Sequence, residues 1–402
     1  MEKSYQYATF DLFKILAASA VVVGHAYINF FKSWFHHNEH IWICEGIESI
    51  AVSVFFICSG IFLALSVERL TGQNPFEVYS AIIKKRFIRL YEPFLLVCVI
   101  YALIERFLFH KITIKEFLLF WPNIFMIGNI NNIPGNNIVW YVVALFWCTL
   151  PILALLAYKK SLAVSLFFPL LLFLGFSYLY TRYGCVSVHS QPVLDSYKFI
   201  SAGLVRGFVE LTIGIETFYV SKSFSKKFLI KPTAVVASLT IFLEACCLLL
   251  LAVVCAKKGN NKYDFLTYPT CAVLFFIFLL RREIIFLFAS TLKKPIFFLS
   301  RYTYMLYLTH TLLIQPAKFF VDFSQYDFYT VLFVTLAVCW LFAIILYHLN
   351  TLLVRRMNSI WQNLLSPISP TCVGGGNMID LRGNKVIFAI IAQQYPGAIC
   401  FF

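Results

Sequence analysis

The sequence predicts an all-α fold: a polytopic transmembrane bundle of about ten helices, with both termini in the cytoplasm. Three observations predict it. Of the 402 residues, 60% are hydrophobic and 13% charged, and the mean hydropathy is +0.80; a soluble domain carries about twice that charge density. The apolar residues come in blocks of about 20, the length that crosses a ~30 Å hydrocarbon core as a helix. The blocks also lack period-2 alternation, so helices rather than barrel strands satisfy the backbone in lipid.

The blocks fall near residues 7–31, 47–67, 87–109, 138–158, 161–181, 199–220, 233–256, 263–280, 302–321 and 328–349. A further stretch, 114–128, is short and interrupted by Pro122, which suits an interfacial or re-entrant segment. The first block carries Asp11 and Lys14 and has no small-x-small cleavage site, so it is expected to remain as a membrane helix. Residues 1–355 form the expected transmembrane domain. Residues 356–402 form an expected cytoplasmic tail, flexible around Gly374–Gly376.

The net charge of +14 does not point to nucleic acid, because Lys and Arg cluster in short loops between apolar blocks. That is the pattern of topology signals and of contact with anionic membrane lipids. With the N-terminus inside, about 21 basic residues fall on the cytoplasmic side and about 10 on the other. The loop 68–86 is the strongest single vote. The twelve cysteines show no C-x-x-C or Cys/His ligand spacing and read as small apolar fillers. The run His36–His40 (HHNEH) lacks the H-E-x-x-H arrangement, and no metal is expected.

Several polar residues interrupt the apolar blocks, and each such residue costs about 2.5–3.5 kcal/mol on insertion scales. Asp11, Lys14 and His25 all lie in the first block. At 100° per residue, Lys14 and His25 differ by about 20° and Asp11 and His25 by about 40°. The three share one face, which must look into the bundle or a wet cavity. Lys14 and His25 are about 16 Å apart along the axis. A plainer reading has Asp11 paired with Lys14 and His25 at the interface.

In the second block, Ser53, Ser59 and Gly60 permit close helix approach. The third opens with KKRFIRLYEPF, where Arg86 and Arg89 are one turn apart. Their guanidinium forks suit phosphate clamping, and they suit equally a positive-inside anchor. Arg206 and Glu210, four apart, either pair or grip a polar substrate. Trp140 and Tyr141 either stack on a sugar or join the aromatic belt. His310 sits among hydroxyl neighbours in YTYMLYLTH.

Taken together, these segments resemble the acyltransferase-3 superfamily of integral membrane acyltransferases over residues 7–350. The family's D-x-x-R-x(10)-H pattern is matched by Asp11, Lys14 and His25, and its V-x-V-F-F-x-x-S-G segment by Val52 to Gly60. R-x-x-R-x-x-x-P appears as Arg86, Arg89 and Pro93, and W-Y-x-x-A-L as Trp140 to Leu145. S-Y-x-x-Y-L-x-H is matched around Tyr304, Tyr307 and His310. Lys14 replaces the family's arginine, which keeps the charge and loses the bidentate fork.

The resemblance implies transfer of an acetyl group from cytoplasmic acetyl-CoA to a hydroxyl of a surface or lipid-linked glycan, in a bacterial inner membrane. It implies His25 as general base or transient acyl carrier, with Asp11, Lys14, Ser59 and His310 as its catalytic companions. Arg86, Arg89 and Lys14 would hold the donor, and Arg206, Glu210, Trp140 and Tyr141 the acceptor. A transporter or flippase of lipid-linked sugars is the competing class. It shares the charge pattern, but no internal repeat is visible.

Overall fold

The computed structural model describes residues 8–31, 42–108, 139–188, 192–194, 197–227, 234–256, 261–280 and 291–365. The run 36–40, the stretch 114–128 and the tail beyond 365 lie outside the described residues, as does most of the outer loops 32–46 and 110–137. Eleven α-helices occur among the described residues. They are α1 (Ala8–Phe30), α2 (Trp42–Arg69), α3 (Pro75–Leu103), α4 (Val139–Leu162), α5 (Phe168–Tyr183) and α6 (Ala202–Lys227). After these come α7 (Ala234–Ala256), α8 (Thr267–Leu280), α9 (Lys293–Ser300), α10 (Thr303–Phe320) and α11 (Phe328–Leu365). The one sheet among them is an antiparallel pair, β1 (Pro192–Leu194) and β2 (Tyr197–Ser201).

Every apolar block carries a helix. Six stretches are long and apolar enough to cross a membrane by length and composition. They include α1, α2, α7 and α11, and one 44-residue stretch that joins α4 to α5. That stretch reverses. Arg206 lies 5.6 Å from the Trp140 ring at its start and donates to the Ser187 carbonyl, just past its end, at 2.6 Å. A straight helix of 44 residues would be about 66 Å long and could not bring both ends to one side chain. The non-helical backbone at Lys159 (φ −141°, ψ 47°) and a π-helical turn at Ala163–Phe167 mark the bend.

Three boundaries differ from expectation. Helix α3 begins at Pro75, inside the expected loop 68–86, because Asn74 accepts from the Phe76 amide and Pro75 needs no amide partner there. The Lys84–Arg89 cluster therefore rides on a helix. Residues 199–201, expected as the start of a helix, belong instead to β2. Helix α11 continues to Leu365, past the domain boundary expected at 355. Its start is capped by Asp327, whose carboxylate accepts from the Thr330 amide at 2.9 Å. That bond holds the Asp327 pKa below the usual carboxylate value.

Helix α2 is the centre of the bundle. It packs against α1, α6, α7, α8, α4 and α3, and 83% of its span is buried, against 22% for α11. The outward faces of α7 and α11 are apolar, with Phe242, Leu249, Phe333 and Leu341 exposed, as a lipid-facing surface requires. Lipid tails are as apolar as leucine, so burial alone does not hold such helices together; close packing and polar contacts do. The α2–α6 contact shows how. A Cβ on Gly60 would collide with the Leu211 carbonyl, and one on Gly214 with the Ile57 carbonyl. The two backbones touch because neither residue has a side chain.

Gly60→Ala and Gly214→Ala should each cost about 1–3 kcal/mol, the usual penalty of overpacking. Each is expected to lower the thermal midpoint in detergent by several degrees. Gly184→Asn, at a φ of +70° with open space around it, should leave the midpoint nearly unchanged.

Candidate active site

The polar stripe of α1 turns into the bundle. Asp11 and Lys14 are 1% and 2% exposed and form an ion pair, while Leu16 on the other face is 54% exposed. The Lys14 ammonium also lies 5.4 Å over the Phe62 ring, and Phe10 and Phe13 pack around it against Phe275 and Phe278. Arg89 on α3 is within electrostatic reach of Asp11. An ion pair this deep costs desolvation; the Arg89 charge and the phenyl face of Phe62 offset part of it.

About three turns further along α1, His25 meets two side chains from other helices. Its ring stands edge-on to His310 of α10, centroids 5.0 Å apart. Its Nδ1 is 3.0 Å from the Val21 carbonyl and 3.3 Å from the Glu48 carboxylate of α2. The Val21 carbonyl can only accept, so it places the proton on Nδ1 and leaves the lone pair on Nε2, while Glu48 Oε2 stands at ion-pair distance without a hydrogen bond to the ring. The same logic holds for His310, whose Nδ1 faces the Leu306 carbonyl at 3.2 Å. His310 is fully buried, and its Nε2 meets no hydrogen-bond partner among the described residues. His25 and Glu48 remain 26% and 20% exposed, so a solute can reach them.

Glu48 was missed in the sequence. The signal was present: a carboxylate in the apolar run preceding Val52, at the end of α2 that an antiparallel partner of α1 brings to His25. Two contacts confirm that pairing, Lys14 on Phe62 and His25 on Glu48.

Between the Lys14 layer and the histidines lie Ser59, Arg86 and Tyr141. Arg86 points inward: its Nη2 donates to the Ser59 carbonyl at 2.9 Å and its Nη1 to the Thr149 hydroxyl at 3.2 Å. It therefore ties α3 to α2 and α4, while Lys84 and Lys85 stay exposed. A small cavity of about 10 Å³, roughly the space of one water, is lined by Phe55, Tyr141, Thr303, Tyr304 and Tyr307. Tyr307 connects it to His310, with ring centroids 6.1 Å apart.

Arg206, Glu210, Trp140 and Tyr141 are all at most 4% exposed. Arg206 Nε donates to Glu210 Oε1 at 2.8 Å, and its Nη2 to the Ser49 carbonyl at 2.8 Å and the Ser53 hydroxyl at 3.0 Å. Ser53 donates in turn to Glu210 Oε1 at 2.6 Å. The Trp140 indole packs between the Arg206 guanidinium and Phe56, so protein occupies its faces. Trp140 and Tyr141 thus lie inside the bundle, not on a lipid-facing aromatic belt. The opposite end of the bundle is tied by Glu68, which bridges Lys160, at 2.8 Å, and Lys222. Among the described residues, no group of three or more His, Cys, Asp or Glu side chains is placed to hold a metal ion.

The sequence profile of the family described as an acyltransferase domain (acyltransferase-3) matches residues 7–347, from the start of α1 to the middle of α11. No curated protein and no solved structure matches the chain. The matched region contains the α1 stripe, the inward Arg86 and the His25–His310 pair. The chain belongs to the acyltransferase-3 family of membrane acyltransferases.

Proposed function

We propose that this protein transfers an acetyl group from cytoplasmic acetyl-CoA to a hydroxyl of a surface or lipid-linked glycan across a bacterial inner membrane. The observation that carries the reading is the state of His25. Its Nδ1 is held by the Val21 carbonyl with the Glu48 carboxylate 3.3 Å behind it, its Nε2 carries the lone pair, and its side chain is partly exposed. An imidazole so held is a general base aimed at one point.

With the N-terminus inside, Lys14 lies in the inner half of the membrane and His25 near the outer boundary. Arg89, with Lys84 and Lys85 beside it, meets the CoA phosphates. The donor's arm runs past Lys14 toward His25. The acceptor hydroxyl loses its proton to His25 Nε2 as its oxygen attacks the thioester carbonyl. A carbon–oxygen bond forms, the carbon–sulfur bond breaks, and the proton passes from His25 to the departing CoA thiolate. Glu48 supports the imidazolium between those two steps, as a carboxylate behind a histidine does. His310 packs edge-on against the base and keeps its ring from rotating. Arg86 shapes the passage by joining three helices rather than by gripping phosphate.

His25→Ala should reduce acetyl transfer by at least about 10²-fold while the protein still inserts in the membrane. Mass analysis of surface glycan and radiolabel transfer from acetyl-CoA check this, and full acetylation in the variant would defeat the reading. A second comparison separates the two arginines. Arg89→Ala should raise KM for acetyl-CoA with kcat little changed, whereas Arg86→Ala should lower the thermal midpoint in detergent as well.

A further inference from the structure

Arg206, Glu210 and Ser53 form a buried network that the proposed chemistry does not use. They are 1%, 0% and 3% exposed. Arg206 joins Glu210 and Ser53, Ser53 joins Glu210, and the remaining Arg206 donors go to the Ser49 and Ser187 carbonyls. A second carboxylate braces the same place: Asp264 Oδ2 accepts from the Val186 and Ser187 amides, both at 2.8 Å. Six points on four segments are held together: Ser49 and Ser53 on α2, Arg206 and Glu210 on α6, Ser187 after α5, and Asp264 before α8.

Two of those points, Ser49 and Ser53, are on the turns of α2 that follow Glu48. A helix is stiff over one or two turns, so fixing its rotation at 49 and 53 fixes the direction of the side chain at 48. Glu48 Oε2 lies 3.3 Å from His25 Nδ1, an ion-pair approach without a hydrogen bond to lock it, so its distance from the ring depends on the rotation of α2.

We infer that the Ser53–Arg206–Glu210 network is a positioning device that sets the rotation of α2, and so keeps the Glu48 carboxylate on the catalytic imidazole. The inference rests on the reading of His25 as general base. It gives Arg206 and Glu210 a role different from gripping the acceptor: they act through Glu48 and touch no substrate. Ser53 is the member to alter, because its hydroxyl joins α2 to both charges and its loss leaves the Arg206–Glu210 pair in place.

The test follows CoA release from acetyl-CoA by the full chain in its native membranes, where the acceptor is present. Ser53→Ala should lower kcat by about tenfold, the worth of one charge-assisted buried hydrogen bond, with KM for acetyl-CoA within about twofold. Ser53→Thr, which keeps the hydroxyl, should restore kcat. Glu48→Gln should lower kcat at least as far, and Ser53→Ala added to Glu48→Gln should change nothing more, since the two act in series. The same loss in both backgrounds, or a loss confined to KM or to the amount of folded protein, would overturn the inference. His25→Ala separates the two levels. If it retains full CoA release, the general-base reading falls and this inference with it. If it is inactive while Ser53 and Glu48 are additive, the positioning role alone falls.

Discussion

The contact of α2 with α6 is the constraint on which the rest of the bundle depends. At Gly60 and Gly214 the two backbones meet with no side chain between them. Everything α2 presents is referred to that contact: Phe62 under Lys14, the Ser59 carbonyl to Arg86, Phe55 to the cavity and Glu48 to His25. In water a loose helix pair is tightened by burial of apolar surface. In lipid it is not, and a fixed distance of approach comes from shape alone. A residue with a Cβ at either glycine would move all four groups at once.

Polar groups then occupy three levels along the bundle, the two outer ones spanning more than one helix. Glu68 with Lys160 and Lys222 closes one end, Asp11 with Lys14 lies within, and the Arg206 network stands at the end where His25 meets His310. Charges in a medium of low dielectric are costly alone and tolerable when paired and hydrogen-bonded. The Glu68 and Arg206 levels therefore tie their helices together, since parting them would strand a charge.

Much of this was legible in the sequence. Block length located the helices, since a membrane sets that length. The 100° period placed Asp11, Lys14 and His25 on one inward face, because the three share one helix and no knowledge of partners is needed. Arg206 and Glu210 were legible as an i, i+4 pair for the same reason. What depends on two helices was not. Glu48 on His25 requires the register of α1 against α2, and the Ser49, Ser59 and Ser187 contacts run through carbonyl oxygens, which every residue carries. The start of α3 was missed because its charged residues resemble a loop, although Asn74 and Pro75 mark a helix start. Helix α9 was missed for a similar reason: KKPIFFLS is basic, short and contains Pro295.

Helix α11 has 38 residues and is therefore about 57 Å long, against ~30 Å of hydrocarbon. At the usual tilt of about 20°, some 25 Å of it stands in headgroups and water. Arg355 and Arg356 lie in that part, about eight turns from the Asp327 cap. A rod with an acidic cap at one surface and paired guanidiniums at the other cannot slide along the membrane normal without drawing charge into oil. The bilayer thereby sets the height of α11, and through α10, which packs along it, the depth at which His310 waits.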